Sequence, residues 1–168
     1  MTNNFTTLNI DPANKQTAYI LINKDGVIYD KGIVPNDEFL HLAETLDYDV
    51  MNIEIVANMG VSGVSLYDTS EMVGILCYIA TKRNKVLNRY KRHEGKKVFG
   101  TWRKPPSIDS QIRTKLINKY GEVGTIKNKG YFFGFKADLW SAMAIYHTYK
   151  NKGETTGSYL FNDSNQVT

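Results

Sequence analysis

Short apolar runs and longer stripes of helical spacing alternate along the chain. Residues 5–10, 18–23 and 27–34 read as three strands. The second and third are joined by Lys24-Asp25-Gly26, where Asp-Gly favours a tight hairpin turn. Asn36 is expected to cap a helix through residue 45, with Asp37 and Glu38 in its first turn, where the helix dipole favours negative charge. Residues 52–57 are a continuous apolar run apart from Glu54, the pattern of a strand buried on both faces. A polar loop with glycines follows at 58–65. Helical spacing then predicts one long helix from 68 to about 91, with Met72, Ile75, Leu76 and Ile79 as its inner stripe. Residues 97–101 suit a short strand. Pro105 and Pro106 break the chain, and Ser107 caps a helix whose inner face is Ile108, Ile112, Leu116 and Tyr120. Residues 121–134 read as loop and 135–149 as the last helix. This order predicts a mixed α/β fold, with 1–150 as one domain and 151–168 as a polar tail.

Three acids stand out against that pattern. Asp11 ends the first strand, Glu54 interrupts the fourth, and Asp138 opens the last helix. A carboxylate inside a buried strand is costly unless hydrogen bonds, a cation or a metal compensate it. If the first and fourth strands are neighbours, Asp11 and Glu54 can face one side of the sheet. Ser141 and Ala142, small residues on the face of Asp138, would let the last helix come close. Such a grouping suits two Mg²⁺ or Mn²⁺ ions and hydrolysis of a phosphodiester. Each acid also has a plain structural reading: Asp11 before Pro12 as a turn residue, Glu54 as partner to a core cation, and Asp138 as a helix N-terminal acid.

Charge adds a partner. The net charge of +4 is modest, but Lys82, Arg83, Lys85, Arg89, Lys91, Arg92, Lys96, Lys97, Arg103 and Lys104 face only Glu94 across residues 82–104, and they hold 10 of the 21 Lys and Arg. A positive block beside clustered acids points to an anionic polymer held near a metal site. Its plain structural reading is a solvated helix end. Met59, in the loop after Glu54, is a candidate wedge between bases, whereas Tyr67 reads as core packing. His41, His93 and His147 are too scattered for a metal site. The single cysteine, Cys77, excludes an internal disulfide, and no run reaches transmembrane length. The 168 residues, 42% apolar and 23% charged, suffice for one core.

Three segments carry a family likeness: Leu8-Asn9-Ile10-Asp11-Pro12, Ile53-Glu54-Ile55-Val56, and the stretch from Gly130-Tyr131-Phe132-Phe133-Gly134 through Ala137-Asp138-Leu139-Trp140-Ser141-Ala142. They resemble the RuvC-type Holliday junction resolvases, especially the branch carried by bacteriophages of lactococci and related hosts. The resemblance implies an RNase H-like fold with a central mixed sheet flanked by helices, and a homodimer built partly on the helix that begins near residue 68. It implies Mg²⁺-dependent nicking of four-way, three-way and other branched DNA, with Mn²⁺ as a substitute and Asp11, Glu54 and Asp138 as metal ligands. The expected compartment is the cytoplasm, the host's if the chain is phage-encoded. Departures are Pro12-Ala13 for the usual Pro-Gly, Ser141 in place of a second helix acid, and Asp109 at the position of a lysine in cellular enzymes. The expectation is that Asp109 supplies the carboxylate Ser141 lacks; its structural reading is a first-turn acid after Ser107. Three further functions are compatible with the residues: a nuclease for RNA–DNA hybrids, a catalytically silent branched-DNA binder, and a small actin-like nucleotide module. The last lacks a second glycine-rich phosphate loop.

Overall fold

The computed structural model describes residues 5–55, 63–101 and 106–152. In chain order these form β1 (Thr6–Pro12), β2 (Gln16–Asn23), β3 (Ile28–Pro35), α1 (Asn36–Thr45), β4 (Val50–Ile55), α2 (Val64–Lys82), β5 (Val86–Lys91), α3 (Arg92–Phe99), α4 (Ile108–Tyr120) and α5 (Leu139–Lys152). One sheet holds all five strands in the order β3-β2-β1-β4-β5. The first three form an antiparallel meander, while β4 and β5 join parallel to β1. The mixed α/β architecture read from the residues is the one observed.

The hairpin turn between β2 and β3 works as its residue types require. Gly26 has φ +87°, and the Asn23 side-chain oxygen accepts from the backbone N–H groups of Asp25 and Val27. Strand alternation then sorts side chains onto two faces. Leu8, Ile10, Tyr19, Leu21, Met51 and Ile53 face α1 and α2, where they meet Phe39, Met72, Leu76 and Ile79. Ala18, Ile20 and Ile22 face the other way, onto Phe132, Leu139, Ala142, Met143 and Tyr146. Each fully buried Leu or Ile in these cores contributes about 1.5–3 kcal/mol.

Several local expectations are corrected. The long helix ends at Lys82, because Asn84 takes a left-handed φ of +52° and starts a turn into β5. Residues 97–101 are no strand, since α3 runs through Phe99 and closes on Gly100. Asn36 lies inside α1 after Pro35, and its side chain instead accepts from the Thr17 hydroxyl and donates to the Ala13 carbonyl. The last helix starts at Leu139, with Phe135 packed in the core before it. Ser107 does cap α4, accepting from the Ser110 N–H at 3.3 Å. On α2, Ile75 and Tyr67 are 37% and 67% exposed, so neither belongs to the inner stripe.

Candidate active site

On the face toward α5, the central strands carry polar side chains in register. Asn9 pairs with Asn52, and Asn52 with Asn88, across three parallel strands. Their amides are linked sideways: Asn88 donates to Asn52 at 2.9 Å, Asn52 to Asn9 at 2.8 Å, and Asn9 to the Thr7 hydroxyl at 2.9 Å. All three asparagines are buried, and the linkage is what makes their burial tolerable. Two residues further along β1 and β4, on the same face, stand Asp11 and Glu54. Ile10 is the register partner of Ile53, so the two acids lie on adjacent strands one step beyond it.

Helix α5 crosses β1 and β4 on that face, and Ala142 is fully buried there. This brings Asp138 and Ser141 to the sheet acids. A cavity of about 710 Å³ is lined by Asp11, Glu54, Asp138, Asp109 and Ser141. The Ser141 side chain hydrogen-bonds Asp11, favouring its ionised form, yet the Asp11 carboxyl is pushed up to about 7. Burial is the main cause, followed by the charges of Glu54 and Asp138; Arg92 opposes them. Burial also raises Glu54, against the attraction of Arg92 and Lys96 and with the repulsion of Asp109.

Asp109 reaches the same cavity from α4. It sits in the first turn of α4 with its side chain 78% exposed, 3.4 Å from the Arg92 guanidinium, and its charge acts on Glu54. Ser141 serves Asp11 from α5.

The basic block divides. Lys91, Arg92 and Lys96 line the cavity. Lys82 pairs with Glu44, Arg83 donates to the Ala43 carbonyl and stacks on Tyr48, and Lys85 also lies over the Tyr48 ring. Arg89 hydrogen-bonds the buried Cys77 thiol of α2. These four belong to the α1–α2 side of the sheet. Lys97 is on α3 outside the cavity lining, and Arg103, Lys104 and Met59 lie outside the described residues. Two cations missed by the sequence reading, Arg113 and Lys136, line the cavity as well. Their spacing offered a signal: Arg113 follows Asp109 by one helical turn, and Lys136 precedes Asp138 by two residues. His147 is spoken for, with Nδ1 at 2.9 Å from the Tyr120 hydroxyl, and burial brings it down to about 4.

This arrangement of sheet and helices is similar to that of known structures. A Thermus thermophilus RuvC structure superposes with a TM-score of 0.66, covering 89% of this chain and 98% of that one at 11% identity. The fold is RuvC-like. T. thermophilus RuvC in complex with a Holliday junction substrate gives a TM-score of 0.61, covering 89% and 97% at 12% identity. No protein-family model matches the chain. No curated protein matches it either. At such identity the RuvC-like fold speaks for architecture, and the chemistry must come from the residues at hand.

Among the described residues, no three His, Cys, Asp or Glu side chains converge closely enough to enclose one ion. The donor set still fits Mg²⁺. That ion is typically held by one or two carboxylates, with waters and substrate phosphate oxygens completing its shell, and hard oxygen donors are what Asp11, Glu54 and Asp138 offer. Burial, with the neighbouring charges of Glu54 and Asp138, disfavours the ionised Asp11 carboxyl, and a cation held at Asp11 would offset that cost.

Proposed function

We propose that this chain is a metal-dependent, structure-selective endonuclease that nicks Holliday junctions and other branched DNA. The observation that carries this is one cavity in which the half-buried Asp11 and Glu54 of β1 and β4, together with the exposed Asp138 just before α5, are rimmed by Lys91, Arg92, Lys96, Arg113 and Lys136, within a RuvC-like fold. Asp11, Glu54 and Asp138 would share the holding of Mg²⁺ or Mn²⁺, with one or two carboxylates to an ion and water or phosphate oxygens completing the shell. Such an ion supplies water activation and neutralises charge developing on the phosphodiester. Ser141 holds the Asp11 carboxylate in position, and the rim cations bind flanking phosphates without reading sequence. The Asn9-Asn52-Asn88 linkage keeps β1, β4 and β5 in the register that sets the two sheet acids side by side.

Paired incision of a four-way junction needs two such sites, and we propose a homodimer. The outer face of α2 supports it: Tyr67, Ile75 and Tyr78 are exposed along one stripe, and Gly74 between them has open space where a side chain would be. In a phage, the enzyme would debranch replicating genomes before packaging.

The test is a cleavage panel of synthetic four-way, three-way and flap DNAs, a linear duplex and an RNA–DNA hybrid, with Mg²⁺ or Mn²⁺. Nicking confined to branched DNA is expected. Preference for the hybrid would move the function to another RNase H-like nuclease, and tight junction binding with no metal-dependent nicking would make the chain a silent binder.

A further inference from the structure

Arg92 occupies an unusual place for a phosphate contact. It is the first residue of α3, and its backbone is fixed. The Lys91 N–H donates to Glu94 Oε2 at 2.7 Å, Glu94 is paired with Lys152, and Gly95 brings α3 against Thr148 of α5. The side chain, 55% exposed, spans two acids on different elements. Its Nη1 lies 3.8 Å from Glu54 Oε1 and its Nη2 lies 3.4 Å from Asp109 Oδ1. Both contacts are long, and neither is the tight bidentate pair a guanidinium makes with one carboxylate. Its charge also reaches Asp11. One half-exposed guanidinium therefore balances three acids, holding none of them firmly.

We propose that Arg92 is a displaceable counter-cation: it neutralises Glu54 and Asp109 in the metal-free protein, then releases Glu54 to a divalent ion and turns its guanidinium onto the scissile phosphate. This rests on the nuclease reading above. Arg92 is repelled once a doubly charged ion is held by Glu54, and attracted by the phosphate that arrives beside it. Only side-chain rotation is needed, because the backbone of α3 is anchored. The planar fork of arginine suits two phosphate oxygens, which an ammonium group does not match. Lys96, one turn along α3, also acts on Glu54 and would keep the site from becoming wholly anionic when Arg92 leaves.

The test measures Mn²⁺ binding to the free protein by calorimetry and single-turnover nicking of a four-way junction at saturating Mg²⁺, for wild type, Arg92→Gln and Arg92→Lys. Arg92→Gln is expected to bind Mn²⁺ about tenfold more tightly, because a competing charge is gone. It should nick roughly 100-fold more slowly, because the phosphate loses its clamp. Arg92→Lys should keep metal affinity within about twofold of wild type and lose about tenfold in rate. A residue with only a structural role would weaken both properties together. Metal affinity unchanged or lowered in Arg92→Gln overturns the counter-cation, and wild-type nicking by that variant overturns the phosphate contact. If wild type binds Mn²⁺ yet cuts no junction, the nuclease reading falls. In that event tighter binding by Arg92→Gln still upholds the displacement, and unchanged binding defeats it.

Discussion

The two faces of the sheet are built on opposite terms. Toward α1 and α2, the strands present Leu8, Ile10, Met51 and Ile53 to Met72, Leu76 and Ile79, an interior with little polar content. Toward α5, the same two strands present Thr7, Asn9 and Asp11, and Asn52 and Glu54. These are held by an amide linkage at depth and end at the cavity in Asp11 and Glu54, whose charged forms burial disfavours. The first face gains stability from close packing and area removed from water. The second gives stability away so that acids can stand where water is scarce. Changes on the first face should therefore cost folding and spare chemistry, and changes at the acids should do the reverse.

The largest effect is expected from Glu54→Gln. Nicking should fall by about 10³-fold or more, since a ligand carboxylate becomes a neutral amide of equal size. Junction affinity should persist, as a gel-shift titration would reveal. On the apolar face, Leu76→Ala should cost about 3 kcal/mol in denaturant unfolding, from lost burial and the cavity left behind. Its nicking rate per folded molecule should match wild type. A large loss of rate there would break the division between the faces.

A smaller effect has the opposite sign. Asp11 titrates near its ordinary 3.8 when unfolded and at about 7 when folded, so the folded state holds its proton more tightly. Its contribution to stability is thus fully present below the unfolded value and is lost as pH rises through about 7. Asp11→Asn removes that penalty. The metal-free variant should be more stable than wild type at pH 8 by about 1–2 kcal/mol, with the gain gone below about pH 4. Thermal melts across that range check it. The smallest effect belongs to Lys82→Gln, whose ion pair with Glu44 spans 3.8 Å at an exposed surface. Stability should move by less than about 0.5 kcal/mol. Junction binding should hold in Lys82→Gln and weaken in Lys96→Gln, with a shallower salt dependence for the latter.

Much of this contrast was legible in the residues. Glu54 betrays itself because it breaks an apolar run, and Asp11 because it closes one. Ser107 and Asp-Gly mark their helix start and turn through side-chain chemistry that acts locally. β5 was hidden for a physical reason. Its sequence, Val86-Leu87-Asn88-Arg89-Tyr90-Lys91, looks like the basic end of a helix, because one of its two buried positions is filled by Asn88, whose side chain bonds Asn52 on another strand. The turn before it uses Asn84 where glycine would have been a plainer sign. With β5 unread, Lys82, Arg83, Lys85 and Arg89 merged with Lys91, Arg92 and Lys96 into one patch, although a sheet separates the two groups. Which way a cation faces depends on tertiary neighbours, and Arg113 and Lys136 were missed for the same reason.

The central claim is that Asp11 of β1, Glu54 of β4 and Asp138 just before α5 cut branched DNA, and nicking of a labelled four-way junction by wild type and Asp11→Asn, side by side with Mg²⁺, tests it most directly. Wild type should nick the junction and leave a linear duplex intact, while Asp11→Asn binds the junction and leaves it whole. Equal nicking by the two proteins would contradict the assignment.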